Sequence, residues 1–416
     1  MQTFTLIFIT ALLLTTLTKF WLSARHVRHI QANRAAVPSE FAAQISLEDH
    51  QKAADYSSIK TRFGYLHIML DVAILLGFTL GGGLQALDHF WGGVFESTLW
   101  RNMALIFSAI TIASLLELPL NVYHIFVIEA RFGFNKMTPA LFVVDMIKQT
   151  LLAAVFGVPL LLAVLWLMDQ MGQYWWIYVW LTWMVFNLLV LAIFPTFIAP
   201  IFNKFAPLED MALKARIEQL LTKCGFKAHG LFVMDGSKRS SHGNAYFTGF
   251  GATKRIVFFD TLLKHLDYQE IEAVLAHELG HFKRNHIYKR IAWMFAMSFV
   301  FLGLLGWMID EPWFYEGLNV TTRSTGMALM LFFLVIPVFT FLLQPLGSLY
   351  SRKHEFEADQ YAAQQSSASD LVRALVKMYK DNASTLTPDP LHSAFYDSHP
   401  PASVRIARLL KAADNV

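Results

Sequence analysis

Seven stretches of this chain stay apolar for roughly the 20 residues a helix needs to cross a bilayer core of about 30 Å. They are Phe4–Leu22, Tyr65–Leu84, Met103–Val127, Thr150–Leu167, Trp175–Ile198, Ile291–Ile309 and Met327–Leu349. The second is the most interrupted, with Asp71 and the run Gly81, Gly82, Gly83. The fourth is short, so it is expected to tilt or to pack partly against protein. Two long polar segments separate and follow the spans, Phe202–Lys289 and Ser351–Val416. The pattern predicts a mainly α, polytopic membrane fold. Residues 1–201 hold spans one to five, 202–289 a first polar segment, 290–350 spans six and seven, and 351–416 a second polar segment.

Orientation follows from the loops. Lys and Arg concentrate after span one (Arg25, Arg28, Arg34, Lys52, Lys60, Arg62), between spans three and four (Arg131, Lys136), after span five and after Tyr350. The intervening loops hold only Arg101 and Arg323. This alternation obeys the positive-inside rule and places both long polar segments in the cytosol. No basic residue precedes the first apolar run, so it reads as an uncleaved anchor with its N-terminus outside rather than a secretory signal. Asp71, Glu117, Asn121, His124, Glu129 and Asn187 fall within or near spans. Such groups either bond between helices or face a hydrated interior; the sequence leaves both open.

Composition agrees with the pattern. The chain is 55% hydrophobic and 16% charged over 416 residues, against about 25% charged in ordinary soluble domains. A net charge of +3 argues against nucleic acid as a partner. The single cysteine, Cys224, excludes an intrachain disulfide and a cysteine-rich metal site.

The candidate chemistry lies in the polar segments. His277-Glu278-Leu279-Gly280-His281 is an H-E-x-x-H motif, whose two histidines share one face of a helix and suit zinc. Asp267 followed by Glu270 predicts the start of that helix, and Ile271, Val274 and Leu275 its apolar stripe. Without a proline before Pro312, the helix is expected to run unbroken into span six. Gly280 is costly mid-helix and would let another segment approach the metal closely. A catalytic zinc needs a third protein ligand and an open position. Glu355 and Asp359, four apart after span seven, share a face and make Glu355 the preferred ligand, with Asp359 orienting His277 or His281. Glu357 points elsewhere, and His354 is a rival ligand by residue type. Glu278 is the expected general base. His399 and Arg405 are candidates for steadying the oxyanion.

Glu129–Asn135, Met234–Ser237, Gly243–Phe247, Lys254–Val257, His277–His281 with Asn285-His286, Ser351–Asp359 and His399-Pro400-Pro401 to Arg405 together resemble the M48 peptidases. The resemblance is specifically to the seven-span Ste24-type group, the CAAX prenyl protease 1 group, and covers nearly the whole chain in order. It implies seven helices around a large water-filled chamber, closed by a zincin-like domain containing a small β-sheet. It further implies one Zn2+ per chain on His277, His281 and Glu355, Glu278 as base, and His399 and Arg405 lining the scissile bond. Asn244 and Ala245 match the edge strand against which substrate lies extended. The residues agree, since Ala245–Phe250 and Ile256–Asp260 read as a short β pair whose free edge can recruit a peptide. The expected partners are a peptide or protein substrate, possibly prenylated, and the lipid bilayer. The compact chain suggests a bacterial plasma (inner) membrane rather than the ER. Alternatives are a membrane-protein quality-control protease without CaaX preference and a non-catalytic helical protein with structural zinc.

Overall fold

The computed structural model describes residues 2–227, 230–248 and 255–413. All seven apolar stretches form helices long enough to cross a membrane: Thr3–Ala32, Leu47–Phe78, Thr98–Glu129, Pro139–Gln170, Gly172–Phe202, His286–Met308 and Thr325–Gln365. Each helix begins before its apolar stretch. Span four is therefore not short, because the helix starts at Pro139, where the Thr138 side chain caps the Leu141 amide. Span two departs the other way. Its helix ends at Phe78, Gly82 takes a left-handed φ of +74°, and a separate helix, Gly83–Gly92, follows. Glycine reaches that conformation without strain, so the triplet ends the span that hydropathy alone would extend.

The spans meet in a core that includes Phe8, Leu105, Leu165, Val179, Leu305 and Leu331, all buried. Span seven is the inner member, packed against spans one and three, with 56% of its apolar window buried against 11–22% for the other six. Those six therefore turn most of their surface to lipid or to open space between the helices. Asp71 and Asn121 are exposed in mid-span. An ionisable group bare to hydrocarbon is expensive, so the exposure of Asp71 favours the hydrated interior. Asn187 instead bonds back to the Trp183 carbonyl at 2.7 Å.

The two polar segments fold together around one shared core. Ile217, Phe258, Ile271 and Leu275 from the first share a core with Leu371 and Ile406 from the second, and Phe41 from the linker after span one joins them. Among the described residues, four strands form a sheet there: β1 (Phe205–Pro207), β2 (Leu231–Met234), β3 (Ala245–Thr248) and β4 (Arg255–Phe259), in the order β1-β2-β4-β3. β2 and β4 are parallel, while β1 and β3 pair antiparallel at the two edges. The expected β pair is thus present with β3 at an edge, although residues 249–254 of that stretch lie outside the described residues.

Candidate metal and catalytic centre

Two helices carry the centre. The first, Tyr268–Lys283, opens with the capping box that its sequence predicts: Asp267 accepts from the Glu270 amide and Glu270 Oε2 from the Asp267 amide, both at 2.9 Å. Glu270 is fully buried, and Lys377 Nζ at 2.7 Å answers its charge, tying this helix to the helix Ala368–Asp381. Burial of Ile271, Val274 and Leu275 in the domain core fixes the helix rotation and turns His277 and His281 inward. The second helix, Gln344–Gln365, continues from span seven and presents Glu355 and Asp359. The two cross at Gly280, where a Cβ would fall 2.9 Å from Ala358 Cα. Only glycine permits that approach.

The first helix does not continue into span six. It stops at Lys283, Asn285 adopts φ +57°, and a new helix starts at His286. Asparagine is one of the few residues that tolerate the left-handed region, so the chain turns without a proline.

His277 Nε2 and His281 Nε2 lie 3.3 Å apart. Glu355 Oε2 is 3.5 Å from the first, and Oε1 is 3.4 Å from the second. Ligand atoms held tetrahedrally at about 2.1 Å stand about 3.4 Å from one another, so the donor set fits a divalent metal. Glu355 Oε2 is also buried without a hydrogen-bond partner among the described residues. An oxygen left so is costly, and a metal here would add its charge to that of Arg405, whose Nη1 is the guanidinium atom at 3.8 Å. These three residues are the one such cluster of His, Cys, Asp or Glu among the described residues. His354, the rival by residue type, stacks on His286 with ring centroids 4.0 Å apart.

Around this set, Asp359 Oδ1 lies 2.9 Å from His277 Nδ1. Arg405 grips Asp359 in a bidentate pair, Nε to Oδ2 at 2.8 Å and Nη2 to Oδ1 at 2.6 Å. Its Nη1 stands 3.8 Å from Glu355 Oε2. His399 Nε2 is 3.4 Å from Glu355 Oε1, with 62% of its side chain open to solvent. Glu278 is half-buried, and burial pushes its carboxyl above the ordinary value.

Electrostatics make one consequence measurable. Burial opposes a proton on His277, but the Asp359 and Glu355 carboxylates outweigh it and raise the metal-free imidazole to about 9. Burial and the neighbouring His277 hold His281 down at about 3. A His raised above its usual value keeps its proton, and the stability this lends the metal-free fold, until pH climbs through about 9. Metal must displace that proton. Uptake by the stripped protein is therefore expected to weaken by about tenfold per pH unit as pH falls below that value. Competitive chelator titrations at pH 6, 7 and 8 measure it, and a flat profile contradicts the arrangement.

A cavity of about 860 Å³ adjoins the centre, with Asn244, Tyr56, Lys60, Tyr379, His399 and Arg405 among its lining. The Asn244 carbonyl accepts from the Phe259 amide at 3.0 Å, and Ala245 pairs with Phe258. Asn244 and Ala245 thus stand at the sheet edge beside the cavity. What holds this edge is not evident from the sequence. Glu129, at the end of span three, accepts from Tyr56 Oη at 2.5 Å and lies 3.4 Å from His124 Nε2 and 3.6 Å from His242 Nε2. His242 Nδ1 and the Gly243 amide both reach Asn382 Oδ1 at 3.2 Å. The membrane helix and the helix Ala368–Asp381 therefore pin the loop that enters β3. Its one signal in the sequence was a carboxylate at a span end.

Seven membrane helices joined to a His-His-Glu centre with a half-buried glutamate beside it define a multi-pass membrane metallopeptidase. Residues 207–413 match peptidase family M48, and residues 26–204 match the CAAX prenyl protease N-terminal region of five membrane helices. The chain belongs to this family. It is 36% identical to a CAAX prenyl protease 1 homolog of Arabidopsis thaliana, over 89% of each chain. It is 35% identical to CAAX prenyl protease 1 of Saccharomyces cerevisiae, over 90% of this chain and 88% of that one. The crystal structure of S. mikatae Ste24p superposes with a TM-score of 0.92 at 32% identity, covering 98% of this chain and 99% of the other. The chain is a metalloendopeptidase of the M48 family.

Proposed function

We propose that this protein is a zinc endopeptidase that hydrolyses peptide bonds near the C-terminus of prenylated CaaX-type, membrane-associated chains. The observation that carries the reading is the triangle of His277 Nε2, His281 Nε2 and Glu355 oxygens at 3.3–3.5 Å beside the glutamate of the same motif. His277, His281 and Glu355 are the proposed ligands of one Zn2+. Bound there, zinc supplies a Lewis acid and lowers the pKa of water towards about 7. Glu278 takes the proton of the attacking water and later returns it to the leaving amine; its burial-raised carboxyl suits both steps. Asp359 holds the His277 ring through Nδ1, and Arg405 holds Asp359. With the Arg405 fork so engaged, exposed His399 is the better placed donor to the oxyanion.

Substrate enters in extended form along β3. Its backbone runs along the free edge of β3 beside Asn244 and Ala245, as edge strands recruit peptides elsewhere. The alternating basic loops support a cytosolic site. The relatives named above are eukaryotic and carry the CAAX prenyl protease name, which favours a CaaX-type substrate over the bacterial quality-control alternative. The deciding experiment presents a farnesylated C-terminal CaaX peptide and an unlipidated misfolded membrane protein in parallel, with and without chelator. Chelator-sensitive cleavage of the first is expected to dominate. Preference for the second rejects the CaaX assignment while leaving the hydrolase intact.

A further inference from the structure

The two proposed imidazole ligands differ in what steadies them. His277 has Asp359. His281 Nδ1 instead meets another imidazole, His286 Nδ1, at 3.0 Å, and His286 Nε2 lies 2.9 Å from Glu357 Oε2. An unbroken helix would not bring residues five apart together. The left-handed turn at Asn285 does, by starting the span-six helix at His286 beside the end of its predecessor. His286 is 4% exposed, and the His354 ring stacks on its face with 12° between the planes. Lys353 Nζ stands 3.9 Å from the far carboxylate oxygen of Glu357. The ring is held on its face and at both nitrogens.

Counting protons leaves one arrangement that frees the ligand atom. His281 must keep Nε2 bare, so its ring proton sits on Nδ1 and is donated to His286 Nδ1. His286 then carries its own proton on Nε2 and donates it to the Glu357 carboxylate. Reversing the chain puts a proton on His281 Nε2 and closes the site. From this geometry we infer that His286 and Glu357 are positioning residues that lock His281 in its metal-binding tautomer, the counterpart of Asp359 on the other imidazole. The inference rests on the reading of His281 as a metal ligand.

The test is zinc affinity of the full-length, chelator-stripped protein in detergent, titrated against a chromophoric chelator, with the visible spectrum of the cobalt-loaded form as second readout. His286→Phe is expected to weaken zinc by about 10–100-fold and to shift the cobalt bands. His286→Gln should restore most of the affinity, because one amide can accept from His281 and donate to Glu357. Glu357→Ala, at a less buried position, should weaken zinc by about tenfold, and it decides the matter if His286→Phe does not fold. Wild-type affinity in His286→Phe or Glu357→Ala overturns the inference, as does a His286→Gln protein no better than His286→Phe. Glu355→Ala runs alongside: if it too binds zinc normally, the ligand set is wrong, whereas if it alone fails, only the relay is.

Discussion

Glu278→Gln is expected to lower kcat for peptide cleavage by about 10²–10⁴-fold while metal content stays near one per chain. The substitution keeps size and hydrogen-bonding reach but removes the proposed base. Glu278 is not within the proposed ligand triangle of His277, His281 and Glu355, so loading should survive. Metal analysis beside single-turnover cleavage of a farnesylated CaaX peptide measures both quantities on one preparation. A variant that cuts at the parent rate would reject the hydrolytic mechanism. A variant that has lost its metal would show instead that Glu278 supports the ligands.

Glu355→Ala should fail in the opposite way. It removes the carboxylate that closes the triangle 3.4–3.5 Å from both imidazoles. Two histidines alone make a poor zinc site, so affinity should fall by about 10³-fold or more, and cleavage with it. The remaining charges also lose balance, since Arg405 keeps Asp359 but no longer faces Glu355. Chelator competition reads the affinity. Excess zinc should restore a little activity if the base and oxyanion donor remain in place, whereas the Glu278→Gln protein should not respond. Retention of full affinity by Glu355→Ala would point to a different third ligand. His354 is poorly placed for that role, because its ring lies against His286.

Much of this molecule is legible in its sequence. Hydropathy located seven spans, because a bilayer demands long apolar runs and little else produces them. The motif His277–His281 declared its own helix, since ligands four apart share a face, and Asp267 with Glu270 marked where that helix begins. Glu355 and Asp359 followed from the same periodicity, and the sheet edge at Asn244 and Ala245 from strand pattern and resemblance. Tertiary structure decided the rest. The break at Asn285 depends on a backbone state that asparagine permits but does not require, so periodicity alone carries the helix on into span six. Glu357 looked idle because helical spacing turns it from Glu355, yet the chain reversal brings His286 to it. The Glu129–His242–Asn382 tie likewise joins residues far apart in sequence that no local periodicity connects. Periodicity specifies which face a side chain occupies; only packing specifies what waits opposite that face.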